Sequence, residues 1–92
     1  MLLDDVKDYL RITGNDEDAD ITKRISRGKS KLEGLTGTPL DFEVEGLANS
    51  LLLDYCRYDY NNASEYFEEN FSSEILRLQF QSAVKDYAEN QS

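Results

Sequence analysis

The sequence predicts an all-α protein, with one domain over residues 1–92 built as a small bundle of four to five helices. Apolar residues recur at intervals of three and four along most of the chain, which is the period of an amphipathic helix. One proline and five glycines leave room for long helices. Hydrophobic residues make up 39% of the chain and charged residues 32%, as in globular domains. A domain of this size has a thin stability margin without partners.

The first two helices are predicted at 3–12 and 17–35. The early aspartates of helix 1 suit the positive end of a helix dipole, and Gly37 is the expected C-cap of helix 2. Gly28 lies on the apolar side of helix 2, so we expect another helix to approach closely there. The apolar stripe of helix 2 consists of Ile21, Ile25, Gly28, Leu32 and Leu35.

The third helix is predicted at 42–58, with Asp41 as its N-cap. Its apolar residues cover a wide arc, which predicts that helix 3 is the central helix of the bundle. Leu53 points away from this arc and is a candidate subunit contact. The arc consists of Val44, Leu47, Ala48, Leu51, Leu52, Tyr55 and Tyr58.

Helices 4 and 5 are predicted at 64–70 and 73–88. Helix 5 has apolar residues on more than one face, which predicts a second packing surface. Ile75 and Leu78 lie off the main stripe and are therefore candidate subunit contacts. The main stripe, expected to face the core, consists of Leu76, Phe80, Ala83, Val84 and Tyr87.

The charge is strongly acidic but unevenly distributed. Nineteen acids and ten bases give a net charge of −9, which disfavours tight binding to nucleic acids or anionic membranes. Residues 23–37 reverse this balance. Within this segment, basic side chains form a stripe along one face of helix 2. A basic stripe is usually solvated or paired with local acids, and its functional interpretation is docking to an acidic neighbouring subunit or transient contact with DNA. The basic stripe of helix 2 consists of Lys23, Arg24, Arg27 and Lys31.

The residues predict no enzyme, no metal site and no cofactor. Histidine, the commonest general base and zinc ligand, is absent. Cys56 lies on the apolar side of helix 3 and is predicted to be a buried structural thiol. The acidic segment 16–20 superficially resembles a calcium loop, but Ile21 and Arg27 stand where such a loop needs a glycine and a bidentate carboxylate. The Asp-Ser-Leu motif of acyl carrier proteins has its nearest match at 49–51 (NSL), inside a helix, so that motif fails as well.

Compartment and membrane association follow from composition. The chain has a single cysteine and therefore no intrachain disulfide, which fits a reducing cytoplasm. No apolar run approaches the roughly 20 residues of a membrane span, and the N-terminus is acidic where a signal peptide would be basic. We expect a protein made in the cytoplasm, without a membrane partner.

Two further classes stay open on the residues alone. A small DNA-binding regulator would use helix 2 as a basic recognition helix after the turn at Gly14, although the net charge opposes it. An adaptor that binds one protein partner, without assembling with further copies of itself into a ring, would need only one contact surface.

Residues 3–12 (LDDVKDYLRI) resemble the opening of the phage head–tail connector family. In that family an "L-x-x-V-K-x-Y-L-R-I" helix leads through an acidic turn, here 14–18, into a long helix that ends in a Thr-Gly pair, here Thr36 and Gly37. The resemblance covers nearly the whole chain. Its later parts, similar to connectors of long-tailed phages that infect Gram-positive bacteria, are 58–63 (YDYNNA), 65–71 (EYFEENF) and 73–78 (SEILRL).

The resemblance implies a structural role in the virion rather than a reaction. Connector subunits form a ring that docks beneath the portal vertex after DNA packaging and extends the DNA channel. The implied partners are further copies of the chain, the portal protein and the next head-completion or tail protein, while DNA passes without specific binding. The implied location is the neck of a virion assembled in the host bacterial cytoplasm.

Overall fold

The computed structural model describes residues 2–91, apart from the side chains of residues 86 and 89–91. Within that part the chain is helical without strands, which confirms the predicted fold class. The central position of the third helix is also confirmed, since α3 packs against α1, α2 and α5. The elements are α1 (Leu2–Leu10), α2 (Asp18–Thr36), α3 (Leu47–Tyr60), a 3₁₀ turn (Ser64–Tyr66), α4 (Phe67–Asn70) and α5 (Ser72–Gln91).

Helix α2 follows the sequence prediction closely. Its apolar stripe is buried at Ile21, Ile25, Gly28 and Leu32. The helix ends at Thr36 and is capped by Gly37, which adopts a left-handed conformation with φ of 72° and donates its N–H to the carbonyl of Glu33 at 2.8 Å. A residue with a side chain is strained in this conformation, so glycine is the natural C-cap.

The predicted close approach at Gly28 is confirmed. A Cβ added to this residue would lie 2.6 Å from Cδ1 of Leu52 and 2.9 Å from Cδ1 of Tyr55. Real Cβ atoms do not come that close to a neighbour, so any side chain would force the Leu52 and Tyr55 side chains, or α3 itself, to shift. The contact between these two helices therefore depends on glycine at this position.

The start of α3 differs from the prediction. The helix begins at Leu47 rather than at residue 42, and Val44, expected in its buried arc, is exposed. Phe42 instead turns its side chain into the core, and its carbonyl accepts a hydrogen bond from Nδ2 of Asn49 at 2.9 Å. Asp41 accepts a backbone N–H two residues further on, which makes a local turn rather than a helix cap. These contacts hold residues 39–46 in a non-helical conformation.

An aromatic cluster joins α4 to α3. Phe67 is fully buried and meets the rings of Tyr55 and Tyr58 edge-on, with centroids 5.3 and 6.1 Å away. Phe71 stacks on Phe67 at 5.1 Å. Edge-on and offset rings are the favourable arrangements for aromatic pairs, so the short α4 is held by packing rather than by its own helical length.

The prediction of which face of helix 5 meets the core is wrong. Ile75 and Leu78 are 7% and 4% exposed and belong to the core, so neither is free to contact a neighbouring subunit. Ser82 is buried on the same face, and Nε2 of Gln79 donates to the carbonyl of Leu35 at 2.8 Å near the end of α2. This face of α5 packs on the bundle because it supplies apolar side chains to the core. It also supplies a hydrogen-bond donor, Gln79, for a carbonyl at the end of α2 that has no partner within its own helix.

The molecule is elongated because α5 extends beyond the bundle. Its extents are 47 × 27 × 17 Å and its radius of gyration is 13.9 Å, whereas a compact chain of this length has about 12 Å. From Ala83 onwards every described side chain of α5 is exposed. Among the described residues, no helix is both long and apolar enough to cross a membrane.

Candidate interaction surfaces

The outer face of α5 exposes four large apolar side chains in one row, which we call the α5 stripe. Leu76, Phe80, Val84 and Tyr87 are 66%, 70%, 52% and 68% exposed. They lie on the side of the helix opposite Leu78, since residues four and seven apart share a helical face. A continuous apolar patch of this kind on a small protein is typically a contact site.

The basic stripe of α2 is held partly within the chain by Asp59, near the end of α3. The Nη2 atom of Arg27 lies 2.7 Å from Oδ2 of Asp59, and Nη1 of Arg24 lies 3.3 Å from the same oxygen. Arg24 also donates to the carbonyl of Asp59 at 2.7 Å and to Oδ2 of Asp20 at 2.9 Å. The guanidinium of Arg24 further lies 5.5 Å from the ring centre of Tyr60. Arg24 is therefore a structural residue that ties α2 to α3.

The outer part of the basic stripe lines a shallow groove of about 650 Å³, which we call the basic groove. Lys31 forms an ion pair with Glu68 of α4. Lys23 is exposed and forms no ion pair within the described part of the chain. The groove is lined by Lys23, Ser26, Arg27, Ser30, Lys31 and Tyr55.

A second groove, of about 550 Å³, lies between α1, the segment before α3 and α3 itself. Four carboxylates line it, and none of the four pairs with a base among the described side chains. Leu53 lies at its edge, half-buried against the core, so the residue predicted as a subunit contact borders this groove. We call it the acidic groove; it is lined by Asp5, Asp8, Tyr9, Glu43, Glu45, Asn49 and Leu53.

A hydrogen-bonded triad fixes one wall of the acidic groove. Tyr9 donates its hydroxyl to Oδ1 of Asp54 at 2.5 Å, and Nη2 of Arg57 approaches the same oxygen at 3.4 Å. The hydrogen bond to the Asp54 carboxylate raises the pKa of Tyr9, because the phenol must keep its proton to donate it. The triad joins α1 to α3.

The two grooves lie on different sides of α3. Leu53 borders the acidic groove and Tyr55 lines the basic groove. Residues two apart on a helix point about 200° away from each other. One chain therefore presents an acidic surface and a basic surface in divergent directions.

The remaining candidates for chemistry do not form a site. Cys56 is fully buried, and desolvation raises the pKa of its thiol to about 12, so it stays protonated and unreactive near neutral pH. This agrees with the predicted structural thiol. Among residues 2–91, as far as their side chains are described, no three or more His, Cys, Asp or Glu side chains are placed so that they could hold a metal ion.

Sequence reasoning identified the basic stripe and Leu53 but missed the acidic groove and assigned the α5 stripe to the core. The acidic groove needs α1 and the segment before α3 to meet, and no local pattern contains that information. Comparison with protein-family models, curated proteins and solved structures finds no match to this chain.

Proposed function

We propose that this chain is a structural subunit of a phage head–tail connector ring, which docks on the portal after DNA packaging and extends the DNA channel towards the tail. The observation that carries the proposal is the pair of oppositely charged grooves on different sides of α3. Identical subunits that close into a ring meet head to tail, so each needs two different surfaces that fit each other. The sequence resemblance to connectors supports the same role.

The charges of the two grooves favour such a contact. The acidic groove holds four carboxylates that form no ion pair among the described side chains, and these repel one another in the isolated chain. Lys23 of the basic groove is free to approach them, and Arg27 and Lys31 keep roughly half of their side-chain surface exposed. Docking of one groove into the other would relieve the repulsion and set the register between neighbouring subunits.

In this proposal the α5 stripe provides the apolar contact with the portal or with the next protein of the neck. A patch of large apolar side chains gives affinity, whereas charged grooves give orientation. The same stripe also favours a second candidate function, an adaptor that binds one partner helix and forms no ring, because a single amphipathic face is sufficient for that.

Specific DNA binding is less well supported. A DNA-reading helix needs free basic side chains, but Arg24 and Arg27 are bound to Asp59 and Lys31 to Glu68. The net charge of −9 repels phosphates as well. In a connector, the same repulsion lets DNA pass through the channel without being held.

The ring proposal is tested by charge reversal at a residue that has no role in the fold. Reversal of Arg24 would place a carboxylate beside Asp59 and disturb the fold itself, so Lys23→Glu is the better variant. Lys29→Glu, on another face of α2, is the matched control. Each variant is mixed with the portal protein encoded by the same genome, and the products are weighed by native mass spectrometry and viewed by electron microscopy.

We expect wild type and Lys29→Glu to form rings on the portal, and Lys23→Glu to form far fewer at low salt. Raising the salt concentration should weaken the wild-type rings, since exposed charges are screened. Rings that form equally well with Lys23→Glu would contradict the groove contact. A complex of one chain with one partner, and no ring, would favour the adaptor.

A further inference from the structure

The α5 stripe has no cover within the chain, and its spacing suits one kind of partner. Ala83, beside Val84 of the α5 stripe, is exposed as well, and Leu76, Phe80, Ala83 and Tyr87 follow one another at intervals of four, three and four. This series reads the same in both directions along the helix. A face with that property can pair with an antiparallel copy of itself, because every residue then meets a residue at the matching height.

The residues that meet in such a pair also fit by size. With two α5 helices antiparallel and centred between Phe80 and Ala83, Leu76 lies opposite Tyr87 of the second copy. Phe80 lies opposite Ala83 of the second copy, so the largest central side chain meets the smallest. Alternation of large and small residues is what lets two helices interdigitate at close packing.

The surface available is enough for a weak dimer. The four large side chains of the stripe, each more than half exposed, present roughly 500 Å² together. Two copies would bury roughly 1,000 Å², the lower limit for a specific interface. We therefore expect an association that depends strongly on protein concentration rather than a permanent dimer.

The low net charge of α5 also permits a second copy of the chain at this face. The sequence of α5 (Ser72–Gln91) has two bases and three acids, a net charge of −1, whereas the whole chain carries −9. Two chains that meet along α5 therefore bring together regions of low net charge, and little repulsion opposes the contact.

We propose that, in the free chain, a second copy covers the α5 stripe by packing its own α5 antiparallel against it, to form a two-fold dimer. This goes beyond the ring, because it concerns the chain alone and uses neither groove. A partner in the neck would replace the second copy at the same face.

Sedimentation equilibrium of the purified chain measures this association. We expect a monomer–dimer equilibrium in which Val84→Glu and Tyr87→Glu each raise the dissociation constant at least about tenfold. The matched controls are Val44→Glu and Tyr66→Glu, which change the same residue types at similarly exposed sites, 58% and 54%, outside α5. These controls should leave the constant within about a factor of two, and circular dichroism should show all four variants folded.

Cysteine crosslinking tests the antiparallel direction. In the proposed dimer, residue 76 of one copy meets residue 87 of the other, within reach of a disulfide, while the two copies of residue 76 are about 16 Å apart along the helix axis. An equimolar mixture of Leu76→Cys and Tyr87→Cys chains should therefore form a covalent heterodimer on mild oxidation. Neither variant alone should crosslink. Native Cys56 is buried and gives no background.

A chain that stays monomeric at every concentration would overturn the proposal, as would a dimer that Val84→Glu and Tyr87→Glu do not weaken. Crosslinking of Leu76→Cys with itself would show a parallel pair and would overturn the antiparallel arrangement. Each of these outcomes leaves the ring proposal standing, because that proposal is tested by Lys23→Glu in the presence of the portal protein.

Discussion

Helices α2 and α5 are nearly equal in length, with 19 and 20 residues, but they use their side chains differently. Helix α2 buries its single apolar stripe against the rest of the chain, and most of its basic residues are bound by acids of α3 and α4. Helix α5 buries one apolar face and leaves a larger one in water. The apolar surface of α2 is thus used by the fold, whereas the larger apolar face of α5 is left uncovered within the chain and is available for the contact that we propose.

The sharpest test of this difference compares two leucines. Leu32 of α2 is fully buried, whereas Leu76 of α5 is 66% exposed. Leu32→Ala should lower the free energy of unfolding by about 2–5 kcal/mol, because it leaves a cavity in a packed core. Leu76→Ala should change it by less than about 0.5 kcal/mol in dilute protein. Urea unfolding at low protein concentration measures both. A large loss in Leu76→Ala would mean that the outer face of α5 packs within the chain.

The second test concerns the contact of α2 with α3. Gly28→Ala should lower the free energy of unfolding by about 1–2 kcal/mol, since the new methyl group collides with Leu52 and Tyr55. Gly34→Ala is the matched control on the same helix, where an added Cβ meets nothing within 4 Å. It should raise the free energy by about 0.5–1 kcal/mol through better helix propensity. Thermal or urea unfolding distinguishes the two, and a stabilised Gly28→Ala would contradict the close approach.

A further expected effect is a dependence of stability on pH through Cys56. Burial raises the pKa of this thiol from its ordinary value of 9.0 to about 12. Between these values the unfolded chain loses the proton and the folded chain keeps it. The thiol's contribution to stability is therefore complete below pH 9 and is lost as the pH rises to 12.

The measurement is the free energy of unfolding of wild type and Cys56→Ala across this pH range. The free energy of unfolding of wild type should fall more steeply with rising pH than that of Cys56→Ala. The tyrosines with raised pKa values contribute equally to both proteins. Parallel curves would show that the thiol is not desolvated in the folded chain.

The sequence predicted those parts of the fold that are encoded locally. Helix α2 has one apolar stripe and a glycine after it, so its face and its end could both be predicted. The start of α3 could not, because Phe42 leaves the helical path to enter a core formed by distant segments. Helix α5 could not be oriented either, since periodicity finds two apolar faces but does not say which one the bundle accepts.

The candidate surfaces show the same limit. The basic stripe was visible as a row of residues, but its partners Asp59 and Glu68 lie more than 30 residues further along the chain. Pairing with them turns Arg24 from a candidate contact into part of the fold. The acidic groove needs α1 and the segment before α3 to meet, so only the tertiary structure shows it.

The most direct test of the central claim, that the outer face of α5 is a contact surface, compares two tyrosines in one sample. Tyr87 lies on the α5 stripe and Tyr66 lies outside it, and both are exposed in the single chain. Hydroxyl-radical footprinting, read by mass spectrometry, measures the oxidation rate of each tyrosine in dilute chain and in the assembly with the portal protein. We predict a severalfold lower rate at Tyr87 on assembly and little change at Tyr66. An unchanged rate at Tyr87 in a complex that has formed would contradict the claim.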